Sequence, residues 1–386
     1  MQFNSLRPLA IVCMLFLYAC KTENKNSESV FAGLKSDTTI RHARRFAIAS
    51  NAHVTAVYLF GNRHNFDTTS TFLIYKDSLV HSMKTAKNVF ELQMPCKNIA
   101  ALSSIYASML CDLDYIEGLA AIDNIDYINN PAIINKFNAG KLKELAKGPQ
   151  PDLEQTIKLN PDVVFTFGMG EPGTDINPKL ALAKIPVAVS VDHLEKTPLA
   201  RAEWIKFFAA FIGKNKMADS VFSAVEKNYT ALKALTESAK TKPTVFNEIK
   251  YGDVWYMPGG KSYVAQLLND AGATYVWKND TSAGSLQLSF EQVYAQAKEA
   301  DYWINLSLVN NKAELLSYES RYAEFKAFKK GNLYNNNKVA NSKGYSTYWE
   351  TGMIYPDRIL SDMILIFHPE LAPQLKNDLY YYKQIN

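Results

Sequence analysis

NKMADSVFSAVEKNYTALKALTESA, residues 215–239, divides the chain into two regions of similar plan. Its apolar residues Met217, Val221, Val225, Tyr229, Leu232 and Leu235 recur every three or four positions, which marks one face of a helix. Gly213 stands just before it and Pro243 just after it, as expected for a helix with defined ends. At about 1.5 Å per residue the helix would run roughly 37 Å, longer than a crossover within one compact sheet needs. The stretch therefore predicts a rigid strut between two lobes.

Upstream of the strut, residues 197–212 (TPLARAEWIKFFAAFI) read as a first helix, with Thr197 as N-cap and Pro198 at its first position. Strand and helix alternate before it: a strand over 98–102, a helix over 104–113, a short helix and a strand within 151–168, and a last strand over 186–191. The order suits a small lobe built on a parallel sheet. Residues 31–92 differ. They carry the alternation and β-branched content of strands, with Gly61-Asn62 as a turn. His42, His53, His64 and His81 are scattered there without metal-ligand spacing.

Downstream of Pro243 the alternation resumes, with strands predicted over 244–249, 301–306 and 332–335. Helices are predicted over 262–271, 289–297, 321–329 and 357–367. GGKS at 259–262 lacks the first glycine of a phosphate-binding loop, because Trp255 stands in its place; it reads as a turn opening a helix.

The net charge of +4 over 386 residues, without a long basic run, argues against a nucleic-acid surface. The 22 tyrosines fit either core strands or an aromatic ligand cleft. Arg7 followed by an apolar run over 9–19 reads as an export signal, too short to remain as a membrane span. Leu17-Tyr18-Ala19-Cys20 resembles a bacterial lipobox, so residues 1–19 would be removed and Cys20 lipidated, with 20–30 as a flexible tether. A plain secretory signal would also export the chain. Cys96 and Cys111 remain, and with a strand and a returning helix between them their sulfurs would lie at one end of the unit. A disulfide, worth roughly 3 kcal/mol, and a pair of buried thiols are the two expectations.

DLEQTIKLNPDVVFTFG (152–168) and SFEQVYAQAKEADYWIN (289–305) share a Glu-Gln pair at a helix start, a polar break ending in Asp, and a strand. Glu154 and Glu291 would thus occupy matching positions on the two lobes. With this repeat, and with TPLARAEWIKFFAAFIGK (197–214), VWYMPGGKSYVAQLLNDAGATYVW (254–277), FKAFKKGNLYNNN (325–337) and the segment 348–371, the sequence resembles the class III substrate-binding proteins of ABC importers. It is similar to a lipoprotein branch common in Bacteroidetes-type bacteria. The resemblance implies an α/β fold of two Rossmann-like lobes, each with a central, mainly parallel sheet, joined by one long α-helix. The lobes would span 93–196 and 243–386, with linking helices over 197–242 and a ligand cleft between the lobes. It also implies that Glu154 and Glu291 dock onto a membrane permease. The expected role is a lipid-anchored, monomeric, non-enzymatic receptor for a ferric siderophore, haem or cobalamin-type ligand, needing no cofactor of its own.

Ligands of open α/β sheets gather at the carboxyl ends of strands. That places Ser103, Ser104, Met169, Glu171 and His193 on the first lobe, and Trp255, Tyr256, Asn305, Ser307, Tyr348 and Trp349 on the second. Arg201 and Glu203 would form a local surface pair or point into the cleft. Free zinc or manganese would need several histidines there, whereas His193 stands alone. The alternative function is a metallochaperone or tetrapyrrole-processing enzyme on the same fold, although neither a nucleophile elbow nor a phosphate loop is present.

Overall fold

The computed structural model describes residues 31–61, 67–77, 88–145, 151–375 and 377–386. The signal over 1–19, Cys20, the tether, Asn62, His64 and His81 lie outside the described residues.

The helix Asn215–Leu235 continues as a 3-10 turn over Thr236–Ser238. Ala218, Phe222 and Val225 belong to the first-lobe core, while Tyr229 belongs to the second, with Leu232 and Leu235 packed against it. The buried stripe is therefore Ala218–Phe222–Val225–Tyr229, one position round from the Met217–Val221 edge expected from the sequence; Met217 is exposed. A strut clamped by two cores needs a wider apolar face than a surface helix, and Phe222 supplies it.

The first-lobe sheet runs Val187–Ser190, Val163–Phe167, Ile99–Ala101, Leu119–Ile122, Lys143–Glu144 in space, all parallel. In the second lobe the order is Thr274–Tyr275, Thr244–Asn247, Tyr302–Ile304, Leu333–Asn335, Lys383–Gln384, with the last strand antiparallel. A separate antiparallel sheet of Lys250–Tyr251, Val254–Pro258 and Ser285–Leu288 flanks it. The fold is the expected one: two α/β lobes with mainly parallel sheets and a single long helix between them.

The strands Lys35–Ser36, Phe46–Ser50, Val54–Phe60, Thr68–Tyr75 and Val89–Gln93 form a five-stranded sheet in sequential order, antiparallel except for the final pair. Alternation assigns its faces. Phe46, Ile48, Val57, Leu59, Phe72 and Ile74 enter the first-lobe core, where Phe46 meets Trp204 and Phe72 meets Phe211 edge-on. Val54, Ala56, Tyr58, Leu73 and Tyr75 form a small cluster on the other face. Two buried carboxylates fasten the approach to this sheet. Glu203 accepts the backbone N–H groups of Arg41, His42 and Ala43 at 2.9, 2.7 and 2.8 Å, and Glu195 accepts those of Arg44 and Arg45. The segment is thus an integral wall of the first lobe rather than an appendage.

The first linking helix is two pieces, Pro198–Ala202 and Ile205–Ile212, joined through a tightened turn in which Trp204 and Lys206 bond to carbonyls three residues back. Thr197 caps it as expected, accepting the Ala200 N–H. The region expected as one helix over 321–329 is likewise a 3-10 stretch, Ser320–Glu324, followed by the helix Lys326–Lys330.

Cys96 and Cys111 are not bridged. Cys96 directs its sulfur at the Gln93 carbonyl, whereas Cys111, on the last turn of Ser104–Asp112, lies among Asp112, Glu350 and Lys136. Burial pushes both thiols up to about 12, leaving them protonated and inert.

A second tie joins the lobes. The buried Glu350, on the helix Thr347–Thr351, accepts the N–H groups of Asn129 and Asn130 at 2.8 and 3.1 Å. Tyr355 donates to Asp112 at 2.8 Å, Asn341 donates to the carbonyls of Asp126 and Ile128, and Tyr345 packs edge-on against Tyr127. Segment 341–355 therefore clasps the first lobe independently of the strut.

Candidate ligand cleft

The cavity between the lobes is lined mainly by helix residues, and Ile105 joins them from just after a parallel strand. After Ile99–Ala101 the chain turns into the helix Ser104–Asp112, and the hydroxyl of Ser103 is spent on the Ile105 N–H. Ser103 and Ser104 thus set the helix start, and Ile105 is the residue that reaches the cavity. After Val163–Phe167, the Asp175 carboxylate accepts the N–H groups of Met169 and Glu171 at 2.8 and 2.7 Å and folds the loop on itself. Met169 stands exposed and Glu171 half-buried. The N-terminal sheet supports this loop, since a Cβ on Gly61 would come within 2.6 Å of the Gly170 carbonyl oxygen.

After Val187–Ser190 comes the turn Asp192–Leu194. Asp192 is buried and accepts from Ser190 at 2.8 Å, Tyr106 at 3.2 Å and Arg201 at 3.1 Å. His193 is at the surface, its imidazole held below the usual value by partial desolvation and by Arg201. Arg201 settles the question left by the sequence. It does not pair with Glu203, whose carboxylate faces the N-terminal segment; its guanidinium bonds Asp192 and lies 4.2 Å from the centre of the Tyr263 ring.

Arg201, Tyr263, Tyr348, Trp349, Ile105 and Met353 help line an interlobe cavity of about 60 Å³. It holds a water-sized group, not a tetrapyrrole. Tyr348 is buried with its ring edge-on to Trp349, Tyr381 and Tyr382, whereas Trp349 is 54% exposed and offers a free indole surface above the cavity. A flat or bulky cargo would rest on that surface, with the cavity receiving one substituent.

The other four second-lobe expectations do not line this cavity. Trp255 is wholly buried and donates to the Asn247 carbonyl at 3.1 Å, because Val254–Pro258 belongs to the flanking sheet rather than the parallel one. Tyr256, on the same strand, is exposed outside the cavity. Asn305 is buried in the core, accepting from Tyr382 at 2.7 Å. Ser307 is exposed with a left-handed backbone, φ 57°, and also stands outside the cavity. Tyr263 and Glu248 escaped the sequence reading. Glu248 follows the parallel strand Thr244–Asn247 directly, so the rule of strand ends could have found it.

Glu154 and Glu291 do hold equivalent positions. Each is the second residue of its helix, behind the caps Asp152 and Ser289, and each is exposed. Glu291 pairs with Arg321 at 3.0 Å. Among the described residues, no cluster of His, Cys, Asp and Glu could hold a metal ion, and no helix is long and apolar enough to cross a membrane.

Two lobes, a strut and a cleft at the strand ends define the class of substrate-binding receptors. Residues 99–339 match the family described as periplasmic binding protein, and the chain belongs to that family. It is 31% identical over 244 residues to an uncharacterized lipoprotein of Methanocaldococcus jannaschii, covering 61% of this chain and 55% of that one. The chain thus spans about half the length of that relative. A second uncharacterized lipoprotein of the same organism is 27% identical, with 79% of each chain covered. Among solved structures, the periplasmic heme-binding protein RhuT from Roseiflexus sp. RS-1 superimposes with a TM-score of 0.55 at 18% identity, covering 71% of this chain and 98% of that one. The periplasmic vitamin B12 binding protein BtuF of Vibrio cholerae does so at 0.52 and 12%, covering 74% and 100%. At these identities the likeness is one of fold.

Proposed function

We propose that this protein is a lipid-anchored receptor of an ABC importer that captures a metal chelate, a ferric siderophore, haem or a cobalamin-type ligand, and hands it to the permease. The observation that carries the reading is the pair Glu154 and Glu291: one exposed carboxylate per lobe, at the same turn of matching helices. A two-lobed receptor held at fixed separation by a strut can present such a pair to a permease with two basic sockets, where charge sets orientation and on-rate. The exposed indole of Trp349 over a small polar-edged cavity suits a large flat cargo. The relatives named as lipoproteins support anchoring through Cys20, with no span of its own needed. The cargoes named for the structural neighbours, heme and vitamin B12, supply the panel.

The test is uptake of that panel in cells carrying Glu154→Ala with Glu291→Ala, beside affinity of the purified variant. Lost uptake with unchanged affinity is expected. Retained uptake refutes the docking role, and turnover of any panel member would replace the receptor reading with an enzyme.

A further inference from the structure

Segment 348–355 passes from one lobe to the other, and its residues divide between two cores. Tyr348 belongs to the second-lobe core, edge-on to Tyr381 and Tyr382, whereas Met353 and Ile354 belong to the first-lobe core with Tyr355 packed against it. Trp349 belongs to neither, and its ring meets Tyr348 edge-on at 4.9 Å. The place of the exposed indole is therefore set by the backbone that carries it.

That backbone is the five-residue helix Thr347–Thr351, in which three consecutive residues serve different neighbours. Tyr348 and Trp349 wall the interlobe cavity, while Glu350 does not reach it and instead holds the Asn129 and Asn130 N–H groups of the first lobe. Asn130 caps the helix Pro131–Asn138, so the carboxylate meets the positive end of a helix dipole. The next turn repeats the division, with Gly352 and Met353 lining the cavity and Tyr355 donating to Asp112 at 2.8 Å. Successive side chains of a helix point about 100° apart on one rigid unit, so a shift of Glu350 carries both aromatic rings with it.

We propose that Glu350, with Tyr355 beside it, is a positioning residue for the cargo. By tying the short helix to the first lobe it fixes Tyr348 and Trp349 over the cavity, so cargo affinity and the interlobe tie form one equilibrium. Glu350 touches no cargo and acts through the two rings next to it. The inference rests on the receptor reading and deepens it, since a platform strung between two cores reads the separation of the lobes. With the tie broken, only the fraction of molecules that still holds the rings in place binds, and the apparent Kd rises by the inverse of that fraction.

Glu350→Gln tests this by keeping the shape of the side chain and removing the charge that two N–H groups share. Glu203→Gln is the matched control, because Glu203 is also a buried carboxylate that accepts backbone N–H groups, away from the cavity. Of the five tryptophans, Trp204, Trp255 and Trp303 are wholly buried and Trp277 is nearly so, which makes acrylamide quenching without cargo a report on Trp349; Trp349→Phe assigns the signal. Calorimetric titration with haem and with cyanocobalamin gives the affinity. Glu350→Gln should change the quenching constant by at least about 1.5-fold and weaken the cargo that the wild type binds by about tenfold, whereas Glu203→Gln should leave the affinity within about twofold. If Glu350→Gln fails to fold by thermal melting, Tyr355→Phe serves, with an expected loss of about threefold. An unchanged quenching constant, an unchanged affinity, or an equal loss in Glu203→Gln overturns the inference and leaves the receptor reading standing. A wild type that binds neither haem nor cyanocobalamin counts against the receptor reading, and the quenching readout, which needs no cargo, still decides whether Glu350 holds the indole.

Discussion

Replacing Glu248 by Gln should stabilise the ligand-free protein at alkaline pH. Burial raises this carboxyl from its ordinary 4.5 to about 8. A group whose ionisation is harder in the folded state contributes stability below its unfolded value, and loses it as pH rises through the folded one. The full shift would correspond to about 5 kcal/mol. The side chain keeps partial contact with water, so we expect the advantage of the variant to be about 2–4 kcal/mol. It should be near zero at pH 4.5, grow across the interval to about 8, and remain flat above. Urea unfolding of both proteins across that range, without cargo, reads the difference directly. A difference independent of pH would refute the reasoning, as would a variant less stable than the wild type at the alkaline end, since either would mean that the carboxylate is compensated.

Glu350→Ala removes the acceptor of two charge-assisted bonds across the lobes and should cost about 3–4 kcal/mol in urea unfolding; a loss below about 1 kcal/mol would show the clasp to be incidental. With the clasp intact, small-angle scattering should barely change on cargo addition, and a large compaction would contradict the rigid arrangement. Trp349→Ala should weaken cargo binding by about 1–3 kcal/mol while leaving the melting temperature unchanged, because the indole is exposed; a matching loss of stability would reassign it to the core. Glu203→Ala strands three backbone donors and should destabilise by about 3–5 kcal/mol, with proteolysis opening first at 41–45; unchanged cleavage there would sink the idea that this carboxylate fastens the N-terminal sheet.

Much of the architecture was legible because it is written in local signals. The strut follows from helical spacing and its flanking Gly213 and Pro243, and the caps Thr197, Asp152 and Ser289 fall where their residue types predict. The repeated Glu-Gln motif correctly paired Glu154 with Glu291. The cleft was less legible, because strand-end residues differ in what the third dimension asks of them. Trp255 and Asn305 lie beside strand ends in sequence yet are consumed by the core. Of the two expectations for Cys96 and Cys111 the unbridged thiols are the one found, since spacing sets which end of a unit two sulfurs share but not whether they face each other. Glu248 follows a strand end and could have been named by that rule, but the environment of its carboxyl could not be read from the sequence. A missing cation has no sequence motif.

The clasp of segment 341–355 has a mechanical meaning. With the lobes pinned at the strut and again through Glu350 and Tyr355, the resting molecule is braced like a truss with two crossing members. Bending it open requires work from outside, so the protein would hold its cargo until a machine able to exert force grips both ends. On the proposed receptor role, Glu154 and Glu291, one on each lobe, would be the handles for such a grip.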